Sequence, residues 1–405
     1  MAQQRPRKFK AEPYEWHEVV ELKIEALSNL GAGIAKPKGW VVFVPFALPG
    51  ERIRAKVWRN ETNCTHADLV EILEPSPDRI EPHCPHFATC GGCQYQHLPY
   101  EKQLEWKTRQ VGELLWHMVG IEAEVKATIP SPKQWGYRSK ITPHFQRPKP
   151  GEDFPIGFLE FNRRTRLVDV YNCPIAMDEI NEVLQPIRDD VKRRAAEYKK
   201  GATLLLRATE DRVETDHRAP VSEKVGDLKF NFLAGDFFQN NPFILDSFTG
   251  HAAEQAKGPN QKYLLDAYCG SGLFGLTLAK NFEQVVGIEL SETSADWARR
   301  NAKTNGIENA SFIASSAEAL FADITFPPEQ TSVLIDPPRK GCSVDFLHQL
   351  FDFGPSRVVY VSCNPATQMR DLKSFLEKGY KIESIQPFDL FPQTRHLECV
   401  IALSR

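Results

Sequence analysis

From residue 236 to the C-terminus, short apolar segments alternate with stretches of helical character, and this alternation constrains the fold most. The apolar segments read YLLDAYCG, QVVGIEL, TSVLIDPP and RVVYVSCN, followed by KIESIQPFDLF and HLECVIALS. Apolar strands separated by helices are typical of a parallel sheet that is covered on both faces. We therefore predict an α/β domain of Rossmann-like, doubly wound type over residues 236–405.

The residues before 236 divide into further segments. A basic tail, residues 1–15, precedes short alternating segments over 16–75, which predict an OB-like β-barrel of about five strands. The proline-rich sequence EPSPDRIEPHCPHF marks a boundary near residue 75. Residues 76–235 are expected to form a central, mostly β domain with one helix around 178–197. An amphipathic helix over 98–120 is expected to pack on the C-terminal domain.

Composition is that of a globular protein, with 41% hydrophobic and 25% charged residues. No apolar run reaches the length of about 18 residues that a membrane span needs. The N-terminal sequence MAQQRPRKFK has no apolar segment of the kind found in secretory signals, so a cytoplasmic location is expected. No feature indicates an obligate protein partner, and a monomer is the default expectation.

Positive charge is concentrated in two regions although the net charge is −3. Residues 1–60 carry 11 Lys and Arg against 6 Asp and Glu, and residues 131–170 carry 8 against 4. In the second region the cations are interleaved with Trp135, Tyr137, Phe145, Phe158 and Phe161. Because bases stack on aromatic rings while cations contact phosphates, this mixture favours binding of single-stranded or looped nucleic acid. A solvated face over a β core is the alternative.

Three cysteines lie within ten residues as C-x5-C-x2-C, namely Cys84, Cys90 and Cys93, and Cys173 in YNCPIAM is a fourth candidate ligand. Four thiolates suit either an iron–sulfur cluster or a zinc ion. Zinc ribbons usually use paired C-x2-C units, and only one such unit is present, which favours a [4Fe-4S] cluster. Zinc and unligated cysteines remain the alternatives.

The sequence LLDAYCGSGLFG places G-x-G-x-x-G at Gly270, Gly272 and Gly275 between a strand and a helix. Glu289 ends the next strand, where an acidic residue accepts the ribose hydroxyls of a nucleotide. This pattern alone does not separate NAD from S-adenosylmethionine. Three features favour S-adenosylmethionine: Asp266 four residues before the first glycine, an N-A-x-x-N-G sequence in the following helix, and DPPR at residues 336–339.

Cys363 follows the apolar run of RVVYVSCN and is held at a turn by Asn364 and Pro365. Functional groups of open α/β sheets collect outside the carboxyl ends of the strands, so the thiol is expected beside the methyl donor. A thiolate there could add to C6 of uracil and make C5 nucleophilic. Glu398, half-buried at the start of the last strand, is the candidate base that removes the C5 proton. Its alternative is an ordinary strand-edge glutamate.

Six segments, FFQNN, DAYCGSG, VVGIE, IDPPRKG, VVYVSCNPAT and FDLFPQTRHLE, together resemble the RNA uracil-C5 methyltransferase family. GAGIAKPKGW and LPGERIRAKV resemble a TRAM domain, an OB-like RNA-binding module. The resemblance implies Cys363 as nucleophile, Glu398 as proton acceptor, and Cys84, Cys90, Cys93 and Cys173 as ligands of a [4Fe-4S] cluster. It also implies that Gln239, Tyr268, Glu289 and Asp336 line the donor site. The expected donor-site set further includes the residues of the glycine-rich segment, Asp266, Gly270 and Gly272, and the position of Ser316.

The cysteine cluster and the TRAM-like barrel resemble the branch of this family that methylates 23S ribosomal RNA, so rRNA is the expected partner. The same chemistry on uridine 54 in the T-loop of transfer RNA is the alternative, and a non-catalytic RNA-binding or chaperone protein is a second one. Two residues depart from the pattern of that branch. Leu273 stands where an asparagine is common, and Ser316 stands where an amide side chain is common.

Overall fold

The computed structural model describes residues 9–149, 152–321 and 324–405. These fall into two compact units. The first comprises the described part of Met1–Gln110 with Leu159–Val168 and Gln393–Arg395; the second comprises Val111–Phe158, Asp169–Pro392 and His396–Arg405. Of the predicted basic tail, residues 1–8 lie outside the described residues. In the part of the chain that is described, every helix is too short or too polar to span a lipid bilayer.

The first unit is built on a six-stranded sheet with the order β1-β5-β6-β4-β3-β2. Its strands are β1 (Val19–Lys23), β2 (Ala26–Leu27), β3 (Ala32–Ala35), β4 (Val41–Pro45), β5 (Arg52–Asn60) and β6 (Cys64–Glu74), with a 3-10 turn at Pro37–Gly39. Alternate residues of β4 and β5 point into one core, as a period of two requires. We predicted about five strands; the additional one is β2, whose two residues are too short to show an alternating pattern.

Helix α1 (Tyr100–Leu114) continues as a π-helical turn, Leu115–Val119, and ends at Gly120, whose φ of 81° terminates the helix. From this turn, Leu115 packs with Val111 into a core of the second unit.

The remaining elements up to residue 233 are mostly short strands, as expected. They are β7 (Lys140–Ile141), β8 (His144–Phe145), β9 (Gly157–Leu159), β10 (Leu167–Asp169), α2 (Asp178–Arg193), a 3-10 turn (Ala195–Glu197), β11 (Ala202–Thr203), β12 (Leu206–Ala208), β13 (Val213–Glu214), β14 (Pro220–Val225) and β15 (Leu228–Leu233).

From residue 242 onward the second unit alternates helices and strands. These are a 3-10 turn (Pro242–Ile244), α3 (Leu245–Ala256), β16 (Tyr263–Ala267), α4 (Leu273–Leu278), a 3-10 turn (Ala279–Asn281), β17 (Gln284–Glu289), α5 (Glu292–Thr304), β18 (Ala310–Ala314), 3-10 turns (Ala317–Ala319 and Pro328–Gln330), β19 (Thr331–Ile335), α6 (Val344–Phe353), β20 (Arg357–Ser362), α7 (Pro365–Glu377), β21 (Lys381–Phe388) and β22 (Glu398–Ser404). The strands form a seven-stranded sheet of order β18-β17-β16-β19-β20-β22-β21.

The predicted α/β class is confirmed, but the sheet is not parallel throughout. Strands β16 to β20 are mutually parallel, whereas β22 is antiparallel to both β20 and β21. A parallel crossover needs a dozen or more residues and usually a helix. Only residues 389–397 connect β21 to β22, so this last pair forms an antiparallel connection instead.

Both faces of the seven-stranded sheet are buried, which explains the continuous apolar runs in its strands. In β20, Val358 and Tyr360 belong to one core cluster, while Val359 and Val361 belong to the cluster on the opposite face. Helices α3, α4 and α5 contribute residues to the second of these clusters, and α6 and α7 contribute residues to the first. The packing fixes β20 on both sides and thereby fixes the position of the residue that follows it, Cys363.

Candidate active site

The carboxyl ends of the parallel strands bring the chemically active side chains to one edge of the sheet. Glu289 ends β17, Asp266 lies one residue before the end of β16, Asp336 directly follows β19, and Cys363 directly follows β20. Glu398 begins β22, which runs in the opposite direction, so its amino end lies at the same edge. Four carboxyl groups and one thiol, from five strands, thus lie at one edge of the sheet.

Strand register places Glu398 beside Cys363. In the antiparallel pairing of β20 with β22, Ser362 is opposite Cys399, and the next step of the register sets Cys363 opposite Glu398. Directly opposed side chains have Cβ atoms about 4.5–5.5 Å apart. On its other side, Glu398 pairs with Phe388 of β21. Glu398 is only 2% exposed, more deeply buried than the half-buried position expected from sequence.

The glycine-rich turn after β16 is held by two of the carboxylates. The Gly275 N–H donates to Asp266 Oδ2 at 2.7 Å, and the Gly270 N–H donates to Glu289 Oε2 at 3.0 Å. A Cβ on Gly275 would lie 3.0 Å from Asp266 Oδ2, so no larger residue fits there without a shift. Gly272 has a φ of 92°, which lies in the left-handed region that favours glycine.

Two buried carboxylate oxygens at this edge, Asp266 Oδ1 and Glu398 Oε2, have no hydrogen-bond partner among the described residues. Buried polar atoms are normally paired, and leaving one unpaired is costly. In the ionised carboxylates both atoms are acceptors, so a ligand or water that donates hydrogen bonds, or carries positive charge, would satisfy them. The site therefore fits a cationic, hydrogen-bonding ligand.

Burial and mutual repulsion disfavour the ionised carboxylates. Burial, together with the charges of Asp336 and Glu289, raises the pKa of Asp266 to about 8. Desolvation raises the pKa of Asp336, and burial together with the charge of Asp336 raises the pKa of Glu398 well above its ordinary value. A bound cation would favour the ionised forms, which is the state that a general base needs.

The Cys363 thiol is disfavoured as a thiolate in the free protein. Burial and the charges of Glu398 and Asp336 raise its pKa to about 11, while the charge of Arg339 and a hydrogen bond from it act in the opposite direction. Arg339 is therefore positioned to stabilise the thiolate. Its backbone carbonyl accepts hydrogen bonds from Asn364 Nδ2 at 2.9 Å and Thr367 Oγ1 at 3.2 Å, both at the start of α7.

A buried network behind the site fixes the loop that carries Arg339. Asp371 of α7 accepts from the Tyr360 hydroxyl at 2.7 Å and from the Cys342 N–H at 2.9 Å. Its other oxygen accepts from Arg370 Nε at 2.8 Å and Nη2 at 2.6 Å. Since Cys342 ends the loop after DPPR and α7 begins just after Cys363, Asp371 joins the two segments that present the guanidinium and the thiol.

Comparison with known proteins assigns the family. A family model described as tRNA (Uracil-5-)-methyltransferase matches residues 154–405, and one described as the TRAM domain of tRNA (uracil(54)-C(5))-methyltransferase matches residues 20–77. The chain belongs to the tRNA (uracil-5-)-methyltransferase family. The predictions of an RNA uracil-C5 methyltransferase that uses S-adenosylmethionine, with an N-terminal TRAM domain, are confirmed at this level.

Similar proteins include two yeast enzymes named tRNA (uracil(54)-C(5))-methyltransferase. That of Schizosaccharomyces pombe is 46% identical over 97% of this chain and 79% of its own length. That of Saccharomyces cerevisiae is 34% identical over 96% of this chain and 74% of its own length. The crystal structure of Pyrococcus abyssi tRNA (uracil-54, C5)-methyltransferase with S-adenosyl-L-homocysteine is 25% identical, with a TM-score of 0.72 over 95% of this chain and 100% of that chain.

Two residues in the loop after β15 of this methyltransferase differ strongly in solvent exposure. Gln239, predicted in the donor site, is 5% exposed, whereas Phe237 is 75% exposed. The Asp236 carbonyl just before Phe237 accepts from Lys140 Nζ and Arg207 Nη2, both at 3.0 Å, so the exposed ring stands on a fixed backbone. The exposure of Phe237 was not predicted from the sequence. The doublet in FFQNN was the available signal, but a sequence does not tell which ring is buried.

Three further predicted positions lie near the same strand ends. Tyr268 adopts a φ of 65° directly after β16, and its ring contacts that of Phe346 at 5.4 Å. Ser316 is the N-cap residue of the 3-10 turn Ala317–Ala319. Leu273, which like Ser316 departs from the pattern of the rRNA branch, is the first residue of α4 and is buried. The roles of these residues toward the donor stay predictions.

The predicted cluster ligands are divided between the units. Cys84, Cys90 and Cys93 belong to the first unit and Cys173 to the second. Burial, with a smaller contribution from the charge of Cys84, raises the pKa of Cys90, and the Gly92 N–H donates to Cys90 Sγ at 3.4 Å. In the described chain the three sulfurs of the first unit do not all lie within 4.8 Å of one another. Four sulfurs around one zinc would be about 3.8 Å apart, given Zn–S bonds of about 2.3 Å.

The basic and aromatic surface predicted for residues 131–170 is only partly present. Tyr137 and Phe145 are buried, at 0% and 3% exposure, and serve as core residues. Tyr137 donates its hydroxyl hydrogen to the Pro392 carbonyl at 2.9 Å, and Phe145 packs edge-on against Tyr198. The alternative of a β core beneath a charged face is therefore correct for these two rings.

Proposed function

We propose that this methyltransferase transfers a methyl group to C5 of uridine 54 in the T-loop of transfer RNA. Cys363 acts as nucleophile and Glu398 as proton acceptor. One observation supports this chemistry: Cys363, whose thiolate Arg339 stabilises, lies opposite the buried Glu398. One carboxylate oxygen of Glu398 has no hydrogen-bond partner among the described residues.

Cys363 would begin the reaction by adding to C6 of the uracil ring as the thiolate. The thiol is largely protonated in the free protein, so its reactivity depends on groups that stabilise negative charge on sulfur. Arg339 provides such a group. Addition at C6 makes C5 electron-rich, and S-adenosylmethionine, when bound, supplies the electrophilic methyl group that C5 takes up.

Glu398 would complete the reaction by removing the proton from C5, after which the C6–sulfur bond breaks and the product leaves. Its burial raises the pKa and makes it a stronger base than an exposed glutamate. Asp336 lies close enough for its charge to act on both Glu398 and Cys363. The acceptor base must be flipped out or single-stranded, because stacking hides C5 and C6.

The donor is proposed to occupy the edge of β16, β17 and β19. Glu289 would accept the ribose hydroxyls, and the turn containing Gly270 and Gly272 would lie against the nucleoside. The unpaired Asp266 Oδ1 fits a hydrogen-bond donor of the same ligand. Tyr268, Ser316, Asp336 and Gln239 complete the proposed donor-site set.

The choice of transfer RNA rests on the names of the relatives. Both yeast proteins and the Pyrococcus abyssi structure are described as methyltransferases of uracil 54 in tRNA. These names favour uridine 54 of transfer RNA, the alternative substrate, over 23S ribosomal RNA, the first expectation from the sequence. The test compares purified protein on full-length tRNA, on the same tRNA with cytidine at position 54, and on a 23S rRNA fragment. Methylation confined to the first supports the proposal, and methylation of the rRNA fragment alone contradicts it.

The roles of the two residues are tested in the same assay. Cys363→Ala should bind tRNA and donor but transfer no methyl group. Glu398→Gln should accumulate a covalent protein–RNA species, since the adduct forms but the C5 proton stays. Glu377→Gln, at the exposed end of α7, is the matched control and should behave as wild type. Normal turnover by Glu398→Gln would remove Glu398 from the proposed role.

We also propose that Cys84, Cys90, Cys93 and Cys173 hold a [4Fe-4S] cluster. The C-x5-C-x2-C spacing contains only one C-x2-C unit, which supports a cluster over a zinc ribbon. The Gly92 N–H, which donates to Cys90 Sγ at 3.4 Å, would stabilise a thiolate ligand there. Anaerobic reconstitution followed by iron and sulfide analysis is the test. About four irons per chain, lost in Cys90→Ser, support the cluster, and zinc alone in the purified protein contradicts it.

A further inference from the structure

At the turn between β5 and β6 in the first unit, three side chains with metal-binding atoms converge. Cys64 and His66 are two residues apart in β6 and therefore point to the same face of the strand. Glu61 lies in the turn, whose backbone is closed by a hydrogen bond from the Glu61 N–H to the Cys64 carbonyl at 2.8 Å. This is the only group of three or more His, Cys, Asp or Glu side chains in the described chain whose ligand atoms all lie within 4.8 Å.

The distances between the three side chains, measured to both carboxylate oxygens of Glu61, are close to those around a tetrahedral ion. Cys64 Sγ lies 3.9 Å from Glu61 Oε2 and 3.9 Å from His66 Nε2, and His66 Nε2 lies 3.4 Å from Glu61 Oε1. Zinc bonds of about 2.0–2.3 Å at tetrahedral angles place such atoms about 3.3–3.6 Å apart. One carboxylate oxygen, the sulfur and the imidazole nitrogen all lie within 4.8 Å of one another, so a small adjustment of the side chains would bring all three to one ion.

The histidine ring is held in place from two sides. Phe43 of β4 stacks on it with centroids 5.6 Å apart, and Trp58 of β5 lies at 5.4 Å. Trp58 is at a break in the β5–β6 register, between Val57 and Arg59. Such bulges re-aim a side chain and often lie at functional sites. The imidazole is thus oriented before any ligand binds.

The fourth position of an ion at this site would face solvent. A surface cavity of about 770 Å³ adjoins the turn and is lined by Glu61 and Cys64 together with two cations, Lys10 and Arg59. Arg59 Nη2 forms an ion pair with Glu61 Oε1 at 3.0 Å, and both side chains are substantially exposed. An incoming ion would replace this ion pair, which costs little at an exposed position.

We propose that Glu61, Cys64 and His66 bind one Zn²⁺ ion through a carboxylate oxygen, a thiolate and an imidazole nitrogen, with the fourth position open to water. Sulfur, nitrogen and oxygen ligands together suit zinc, and three protein ligands with an open position are a known zinc arrangement. This site belongs to the TRAM-domain barrel and is separate from the methyl-transfer site and from the C-x5-C-x2-C cysteines. On binding, the thiol proton is released to solvent.

The test measures zinc stoichiometry on the full-length protein with Zn²⁺ alone as the probe. Because the cluster cysteines also bind zinc when iron is absent, the readout is the difference between variants. His66→Ala and Cys64→Ser should each bind one equivalent fewer than wild type. His348→Ala, which removes an exposed histidine of α6, should bind the same number as wild type.

Two further variants keep the test decisive if His66→Ala does not fold. Glu61→Gln removes a charged ligand from the turn and should weaken zinc binding at this site. Arg59→Gln removes the competing cation and should strengthen it. With Co²⁺ in place of zinc, wild type should show a thiolate-to-cobalt absorption band whose intensity falls in Cys64→Ser. Equal zinc stoichiometry in wild type, Cys64→Ser and Glu61→Gln, with unchanged affinity, would overturn the proposal.

Discussion

Replacing Arg339 with glutamine should slow the reaction of the Cys363 thiol in the absence of RNA. The guanidinium contributes a positive charge and a hydrogen bond to the sulfur, and both lower the pKa of the thiol. Glutamine removes the charge. Arg339 itself is exposed, and the backbone contacts of its carbonyl with Asn364 and Thr367 do not depend on its side chain. The substitution should therefore leave the fold intact.

The size of the effect follows from the contact that is lost. A hydrogen bond to a charged group contributes about 1.5–3 kcal/mol. Solvent screens an exposed guanidinium, so the lower end of this range, about 1.5 kcal/mol, applies here. Because about 1.4 kcal/mol corresponds to a factor of ten, the thiolate fraction below the pKa of about 11 should fall about tenfold.

The assay is alkylation of Cys363 by iodoacetamide between pH 7 and 10, followed by peptide mass spectrometry so that each cysteine is read separately. Arg339→Gln should react about tenfold more slowly than wild type at every pH in this range. Lys340→Gln is the matched control. It removes the neighbouring exposed cation, which has no part in the shift of the Cys363 pKa, and should change the rate less than twofold.

The same experiment can refute the reasoning. Equal alkylation rates for wild type and Arg339→Gln across the pH range would mean that the guanidinium does not stabilise the thiolate. An equal slowing by Lys340→Gln would mean that only general positive charge matters, and the specific contact of Arg339 with the sulfur would have no role.

Three further substitutions test the surroundings of the site. Asp371→Asn removes the charge that accepts from Tyr360 and the Cys342 N–H on one oxygen and from Arg370 on the other, so kcat should fall by up to about a hundredfold with KM for RNA little changed, as measured by steady-state kinetics; an unchanged kcat would exclude the positioning role. Asp266 has a folded-state pKa of about 8, above its ordinary 3.8, so the folded state holds a proton that the unfolded state releases as pH rises between these values. The free energy of unfolding of the wild type should therefore fall as pH rises from about 4 to 8. In urea unfolding, Asp266→Asn should not show this fall. Gly275→Ala places a Cβ 3.0 Å from Asp266 Oδ2 and 3.2 Å from Phe312, which should cost about 1–3 kcal/mol of stability in urea unfolding; wild-type stability in this variant would contradict the close packing.

The sequence is sufficient to predict the α/β domain, the TRAM domain and the methyltransferase family, because strand–helix alternation and short motifs express local requirements. It is less informative about the last two strands. An apolar run looks the same in a parallel and an antiparallel strand, so the reversal of β22 follows only from the short connection before it. Glu398 is also more deeply buried than its place at a strand edge suggests.

Exposure of aromatic residues could not be predicted reliably. Tyr137 and Phe145 lie among basic residues in sequence, yet both rings are in the core, whereas Phe237, next to a buried ring, is exposed. The Glu61, Cys64 and His66 group was also missed, since its spacing matches no common metal motif. It depends on a turn that folds Glu61 back over β6 and on rings from two other strands.

The central claim is that the Cys363 sulfur bonds transiently to C6 of the target uracil beside Glu398. The most direct measurement uses tRNA with 5-fluorouridine at position 54, in which fluorine blocks the final proton removal. Incubation with S-adenosylmethionine should give a denaturation-resistant protein–RNA complex of one-to-one stoichiometry, with the modified peptide carrying the nucleotide on Cys363. Cys363→Ala should give none. A protein that methylates normal tRNA but forms no such complex, or that links RNA through another residue, would contradict the account.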